Sequence, residues 1–114
     1  MKVQKVFELV ITARANANPQ IVLQKSNKPC YATSLGMNVD DNGTAVLYET
    51  GLNDTLEALE LLTILCENYT KERERAEMEM VIESDEQKVY TADFEIKYEN
   101  EKIVFYELSN AKAW

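Results

Sequence analysis

The sequence predicts an α+β domain: an antiparallel β-sheet of about six to seven strands with one amphipathic helix packed on one face. Three observations predict it. Segments that alternate apolar and polar residues recur along the chain, separated by clusters of Asn, Gly, Pro and Ser. Asn42-Gly43 stands between two apolar runs, a hairpin signal because both residues tolerate positive φ. One stretch alone, from residue 53 to about residue 75, spaces its apolar residues with a helical period. The 114 residues suit a single domain, 1–114, and a hydrophobic content of 46% is enough to give it a core.

The first element, KVQKVFELVITAR, reads as a strand. Val3, Phe7, Leu9 and Ile11 alternate onto one face, with Lys5 the exception, and β-branched residues favour extended backbone. ANANP ends it, Pro19 admits a short strand QIVLQ, and SNKP is a turn. In YATSLGMNVDDNGTAVLYET a two-residue turn at Asn42-Gly43 would set Val39 opposite Val46 and Met37 opposite Tyr48. The helix follows Gly51. Asp54-x-x-Glu57 resembles a capping box, with Asn53 the other candidate cap. Ala58, Leu59, Leu61, Leu62, Leu65, Cys66 and Tyr69 form its apolar side, and Ile64 projects from the polar side.

AEMEMVIESDE reads as a strand and turn. Met78, Met80 and Ile82 share one face, and Glu77, Glu79, Val81 and Glu83 share the other. VYTADFEIKY alternates as well, with Tyr90, Ala92, Phe94, Ile96 and Tyr98 inward and Thr91, Asp93, Glu95 and Lys97 outward. The final strand, IVFYEL, is apolar on both faces. It must be central in the sheet or be covered by a second subunit.

The chemistry is limited by what the chain lacks. There is no histidine, which removes the most frequent general base and the imidazole metal ligands. No GxGxxG or GxxxxGK[ST] run is present, and three glycines leave little for a phosphate loop. A calcium loop starting at Asp40 would need a carboxylate where Gly51 stands. No cofactor, metal or catalytic residue is therefore expected. A carboxylate- or thiol-dependent enzyme is the least favoured reading. Cys30, near Lys28, should be exposed and Cys66 should lie in the core. With no CxxC spacing, reduced thiols in a cytoplasmic protein are the simplest reading, and a Cys30–Cys66 bridge is the alternative. No apolar run is long enough for a membrane helix, and Glu8 interrupts the apolar N-terminal stretch that would imitate a signal peptide.

Charge carries the most content. The net charge is −8 and the pI about 4.5. Residues 1–52 carry a net +1 and residues 53–114 a net −9, and residues 76–101 alone hold nine acidic residues against Lys88 and Lys97. Direct binding of nucleic acid or anionic membrane is disfavoured. If the 77–83 and 89–98 segments pair, Glu77, Glu79, Glu83, Asp93 and Glu95 lie on one sheet face, roughly 6.8 Å apart for alternate residues. The expected function is a non-catalytic protein-interaction module: a small acidic inhibitor that mimics nucleic acid and fills a basic groove on a protein target. The bland alternative is a solvated face that maintains solubility. A second functional reading is a self-associating, dimeric structural or assembly subunit that uses Val104, Tyr106 and Leu108. Trp114, the lone tryptophan, is either a docked anchor or a free tail.

Overall fold

Val3–Ala13 is a helix, α1, and not the strand that its β-branched residues suggest. Val3, Val6 and Val10 are fully buried on one side, and Phe7 and Ala13 pack beside them. That spacing is helical, and it explains Lys5, which breaks the strand pattern and stands exposed in the helix. Strand propensity is a weak preference for a half-buried surface, and packing overrides it here. Ile11, which a strand would have buried, is 43% exposed.

The computed structural model describes residues 1–13, 17–26, 30–84 and 89–108. Lys28, Trp114 and all but the first residue of the turns expected at SNKP (26–29) and SDEQK (84–88) lie outside them. After α1 come β1 (Gln20–Gln24), β2 (Tyr31–Ala32), β3 (Leu35–Val39), β4 (Ala45–Glu49), β5 (Leu56–Glu57), α2 (Ala58–Asn68), α3 (Glu72–Glu77), β6 (Met80–Ser84), β7 (Val89–Thr91), β8 (Phe94–Glu99) and β9 (Lys102–Glu107). The chain is thus of the α+β class. The expected single antiparallel sheet with one helix is corrected to three helices and two mixed sheets among the described residues.

One sheet runs β2-β1-β9-β8, with β5 also paired to β1; the other runs β3-β4-β6-β7. β1 pairs with β9 in parallel, and so does β4 with β6. Parallel pairs join segments distant in sequence, so no local alternation encodes them. β9 is central, between β1 and β8, which accounts for its apolar residues on both faces. The expected strand over 89–98 is interrupted at Ala92-Asp93, where the chain leaves the second sheet for the first. Tyr90 and Tyr98, expected inward, are 55% and 50% exposed.

The β3–β4 hairpin forms, with its register shifted by one residue. Val39 faces Ala45, Met37 faces Leu47, and Asn38 faces Val46. The turn holds three residues, Asp41, Asn42 and Gly43. The Gly43 amide reaches the Asp40 carbonyl and the Asp40 amide reaches the Thr44 carbonyl, both at 3.0 Å. The Asp40 carboxylate favours this wider turn by accepting from the amides of Asn42 at 2.9 Å and Thr44 at 3.0 Å. Gly43, at φ +82, supplies the left-handed step that closes such a turn. The shift turns Tyr48 and the still buried Val46 away from the main core and Ala45 and Leu47 toward it.

The expected helix over 53–75 is two helices. Neither Asn53 nor Asp54 caps α2, because residues 56–57 first pair with β1. The cap comes from outside the helix: Asn18 Oδ1 accepts from the Leu59 amide at 2.7 Å, and the Pro19 carbonyl accepts from Ala58 at 2.9 Å. Ala58, Leu61, Leu62, Leu65 and Tyr69 are buried as expected. Leu59 and Cys66 are exposed, which corrects their placement in the core; Cys30 is exposed too. α2 stops where the Tyr69 ring turns inward and its hydroxyl donates to the Gly43 carbonyl at 2.5 Å. Burial raises the pKa of that hydroxyl, and the charge of Asp40 adds to the effect.

α3 buries no residue of its own. Arg75 fastens it to α1. Its Nε donates to Gln4 Oε1 at 2.9 Å, a second nitrogen donates to the Tyr69 carbonyl at 3.1 Å, and the guanidinium lies 4.5 Å from the Phe7 ring centroid. Between the sheets, Lys25, at the end of β1 and 7% exposed, forms an ion pair with Glu49 of β4.

Candidate binding surfaces

The five carboxylates expected on one sheet face are divided among three places. Glu77 ends α3, is exposed, and lies 3.5 Å from Arg73 one turn earlier. The strand expected from residue 77 starts at Met80. Glu79 pairs as an isolated antiparallel rung with Lys2. Its carboxylate is 3.0 Å from Lys2 Nζ and 3.4 Å from the Met1 amine. The hydrogen bond from Lys2, joined by the charge of the amine, holds the Glu79 carboxyl below its usual pKa. The Met1 amine also donates to the Ala92 carbonyl at 2.9 Å, which brings Asp93 into the same neighbourhood. Glu83 is elsewhere, on β6 opposite Tyr90. Glu95 belongs to the other sheet, on β8 opposite Tyr106. A regular ladder of charge on one face is therefore not built. The expected hairpin is replaced by a three-residue pairing of β6 with β7, and two cations stand among Glu77, Glu79 and Asp93.

The surface expected to self-associate is also altered. Val104 faces away from the main core, level with Val22 on β1, yet the two are 1% and 0% exposed within the single chain. Polar neighbours close this face. Lys97 stands directly opposite Val104 and holds its ammonium 5.3 Å from the Tyr106 ring centroid. The Tyr106 hydroxyl donates to Glu99, and the bonds to Glu99 and then to Tyr31 raise its pKa. Leu108 is 41% exposed and gives its amide to the Asp93 carbonyl at 3.1 Å. No second subunit is needed to cover Val104.

A cleft whose walls come from separate parts of the chain lies along β3. It has a volume of about 360 Å³ and is lined by Leu35, Met37 and Ile64, by Tyr48 and Thr50, and by Asp54 and Glu60. β3 is an edge strand. The Thr50 amide bonds the Ser34 carbonyl, and the Asp40 amide bonds the Thr44 carbonyl, so the even-numbered residues of β3 exchange hydrogen bonds with β4. The odd-numbered residues then point their amides and carbonyls away from the sheet. Leu35 spends its amide on the Asp54 carbonyl at 3.2 Å. Met37 and Val39 have no strand partner on that side among the described residues.

α2 forms the opposite wall and runs in the same direction as β3. Asp54, just before it, meets Leu35 at one end, and Tyr69, just after it, meets Gly43 at the other. A five-residue strand and an eleven-residue helix are matched in length, each spanning about 16 Å. Gly36 shapes the outer lip: a Cβ there would lie 2.9 Å from Cζ and from the oxygen of Tyr48, so the ring lies across the strand. The one sequence signal for this cleft was Ile64, an apolar residue on the otherwise polar side of its helix. It is half-buried and packs at the margin of the core. Leu35, Met37, Asp54 and Glu60 gave no separate signal, because their proximity depends on where α2 lies against the sheet edge.

Among the described residues no helix is long and apolar enough to cross a membrane. Comparison of the chain with protein-family models, with curated proteins and with solved structures gives no match.

Proposed function

We propose that this chain is a non-catalytic binding module for a protein with a basic surface. By occupying such a surface it would act as a stoichiometric inhibitor of a partner that uses the same surface to hold nucleic acid. The observation that carries the reading is unneutralised exposed charge. Asp41, Asp54, Glu60, Glu67, Asp93 and Glu95 are exposed and have no ion-pair partner among the described residues. With a net charge of −8, such a surface steers a basic partner into encounter and repels nucleic acid itself. The reading rests on total acidity and not on a phosphate-like ladder, since Glu77, Glu79, Glu83, Asp93 and Glu95 do not share a face.

The test is capture from the native host followed by titration of the captured protein. A basic partner is expected, with affinity that falls steeply as salt is raised and falls again when Asp93 and Glu95 are changed to lysine. A partner whose affinity ignores both salt and charge reversal would refute the proposal.

A further inference from the structure

We propose that the cleft between β3 and α2 is a strand-addition site, which takes an extended basic segment of a partner protein as a further strand on the β3 edge. The inference rests on the binding-module reading and deepens it by naming the site and the form of the ligand. The outward amides of Met37 and Val39 and the carbonyls beside them are the donors and acceptors that a sheet offers to a new strand. β2, β5 and β7 are two or three residues long, and short strands are a common way to blunt an edge; of the two longer edges, β8 with six residues carries Lys97, and β3 with five has the cleft and its acidic wall beside it. Ile64 and Met37 offer apolar contact to alternate side chains of the incoming strand.

Charge decides between the possible occupants. Asp54 and Glu60 line the cleft, and no basic residue among the described ones does. A second copy of the chain pairing edge to edge would bring two acidic walls together in a molecule of net charge −8. A lysine- or arginine-bearing strand meets opposite charge at the same wall.

The probe is a fluorescein-labelled Lys-Val-Lys-Val-Lys-Val peptide, with Glu-Val-Glu-Val-Glu-Val as its acidic counterpart. Anisotropy measures binding, and amide hydrogen exchange by NMR locates it. The expected result is saturable binding of the basic peptide alone, with new protection at the Met37 and Val39 amides and no change at Asn38, which already pairs with Val46. Val39→Pro removes an outward amide without touching a bond to β4, and should weaken binding roughly tenfold. Glu60→Lys and Ile64→Lys test the wall independently should the proline variant fold poorly.

No binding of the basic peptide, or binding without new protection at Met37 and Val39, overturns the site. So does protection of those amides that rises with protein concentration in the absence of peptide, which assigns the edge to a second copy. If the host partner is captured in a salt-dependent way and Val39→Pro, Glu60→Lys and Ile64→Lys leave its affinity unchanged, the site is lost and the broader function stands. If no salt-dependent partner exists, the broader function fails first.

Discussion

Arg75→Ala should destabilise the fold by about 2 kcal/mol, a large effect for a residue on a helix that buries nothing. The guanidinium makes two hydrogen bonds, to Gln4 and to the Tyr69 carbonyl, each contributing about 0.5–1 kcal/mol at a half-buried site. Its position over Phe7 adds roughly 0.5–1 kcal/mol. A chain of 114 residues has an unfolding entropy near 0.24 kcal/mol/K, so about 2 kcal/mol lowers Tm by roughly 8 °C. Lysine at this position keeps the charge, but its single ammonium cannot serve both acceptors while lying flat over a ring, so Arg75→Lys should recover less than half of the loss. Thermal unfolding by circular dichroism reads the stability. A double-mutant cycle with Gln4→Ala reads the coupling, expected at about 0.5–1 kcal/mol. Six residues are too few for an isolated helix, so α3 amides should exchange faster in Arg75→Ala than those of α1. A Tm within 2 °C of wild type, or strict additivity with Gln4→Ala, would refute the view that this one side chain fastens α3 to α1.

Asn18→Ala removes the acceptor that caps α2 from outside and should cost about 1 kcal/mol, or roughly 4 °C in Tm, while Asn18→Asp retains the acceptor and should cost less. Tyr69 and Tyr106 both hold their protons more tightly folded than unfolded. Above about pH 10 the unfolded chain therefore binds fewer protons than the native one, and stability should fall with rising pH. Urea unfolding on either side of that pH checks this, and Tyr106→Phe should flatten part of the decline. Cys30 and Cys66 should both react with Ellman's reagent without denaturant, and Cys66→Ser should move Tm by no more than about 2 °C. Asp54→Lys combined with Glu60→Lys should raise self-association, read by sedimentation velocity, as it abolishes binding of the basic peptide.

The sequence made the α+β class, the hairpin at Asn42-Gly43, the core face of β6 and, apart from Leu59 and Cys66, that of α2 legible, because each depends on a pattern within one element. Met80 and Ile82 alternate with Glu79 and Glu83 whatever lies beside them. What was hidden depends on partners distant in the chain. α1 reads as a strand until its face meets α2 and α3. The start of α2 is set by Asn18, forty residues upstream, and by the pairing of Leu56 with Ile21. The hairpin register turned on a side chain, the Asp40 carboxylate, which stabilises a turn one residue wider than the expected one. The acidic ladder failed for the same kind of reason. It required Glu83 and Glu95 to share a hairpin, and the chain changes sheets between them.

The β3 cleft shows how one set of charges can act in two directions. A five-residue edge with free amides, beside a cleft floored by Leu35 and Met37, is an aggregation hazard in any protein that leaves it bare. Lining it with Asp54 and Glu60 removes that hazard against other copies of this acidic chain, since every copy brings the same sign. It does nothing to exclude a strand of opposite charge. On the proposed reading, selectivity for a basic strand and resistance to self-pairing come from the same side chains, and no trade between them is needed. The same proposal does not require acidity to be concentrated into the regular face that the alternation at residues 76–83 suggests. A strand-addition site draws its affinity from backbone amides and carbonyls, and charge need only select which strands approach.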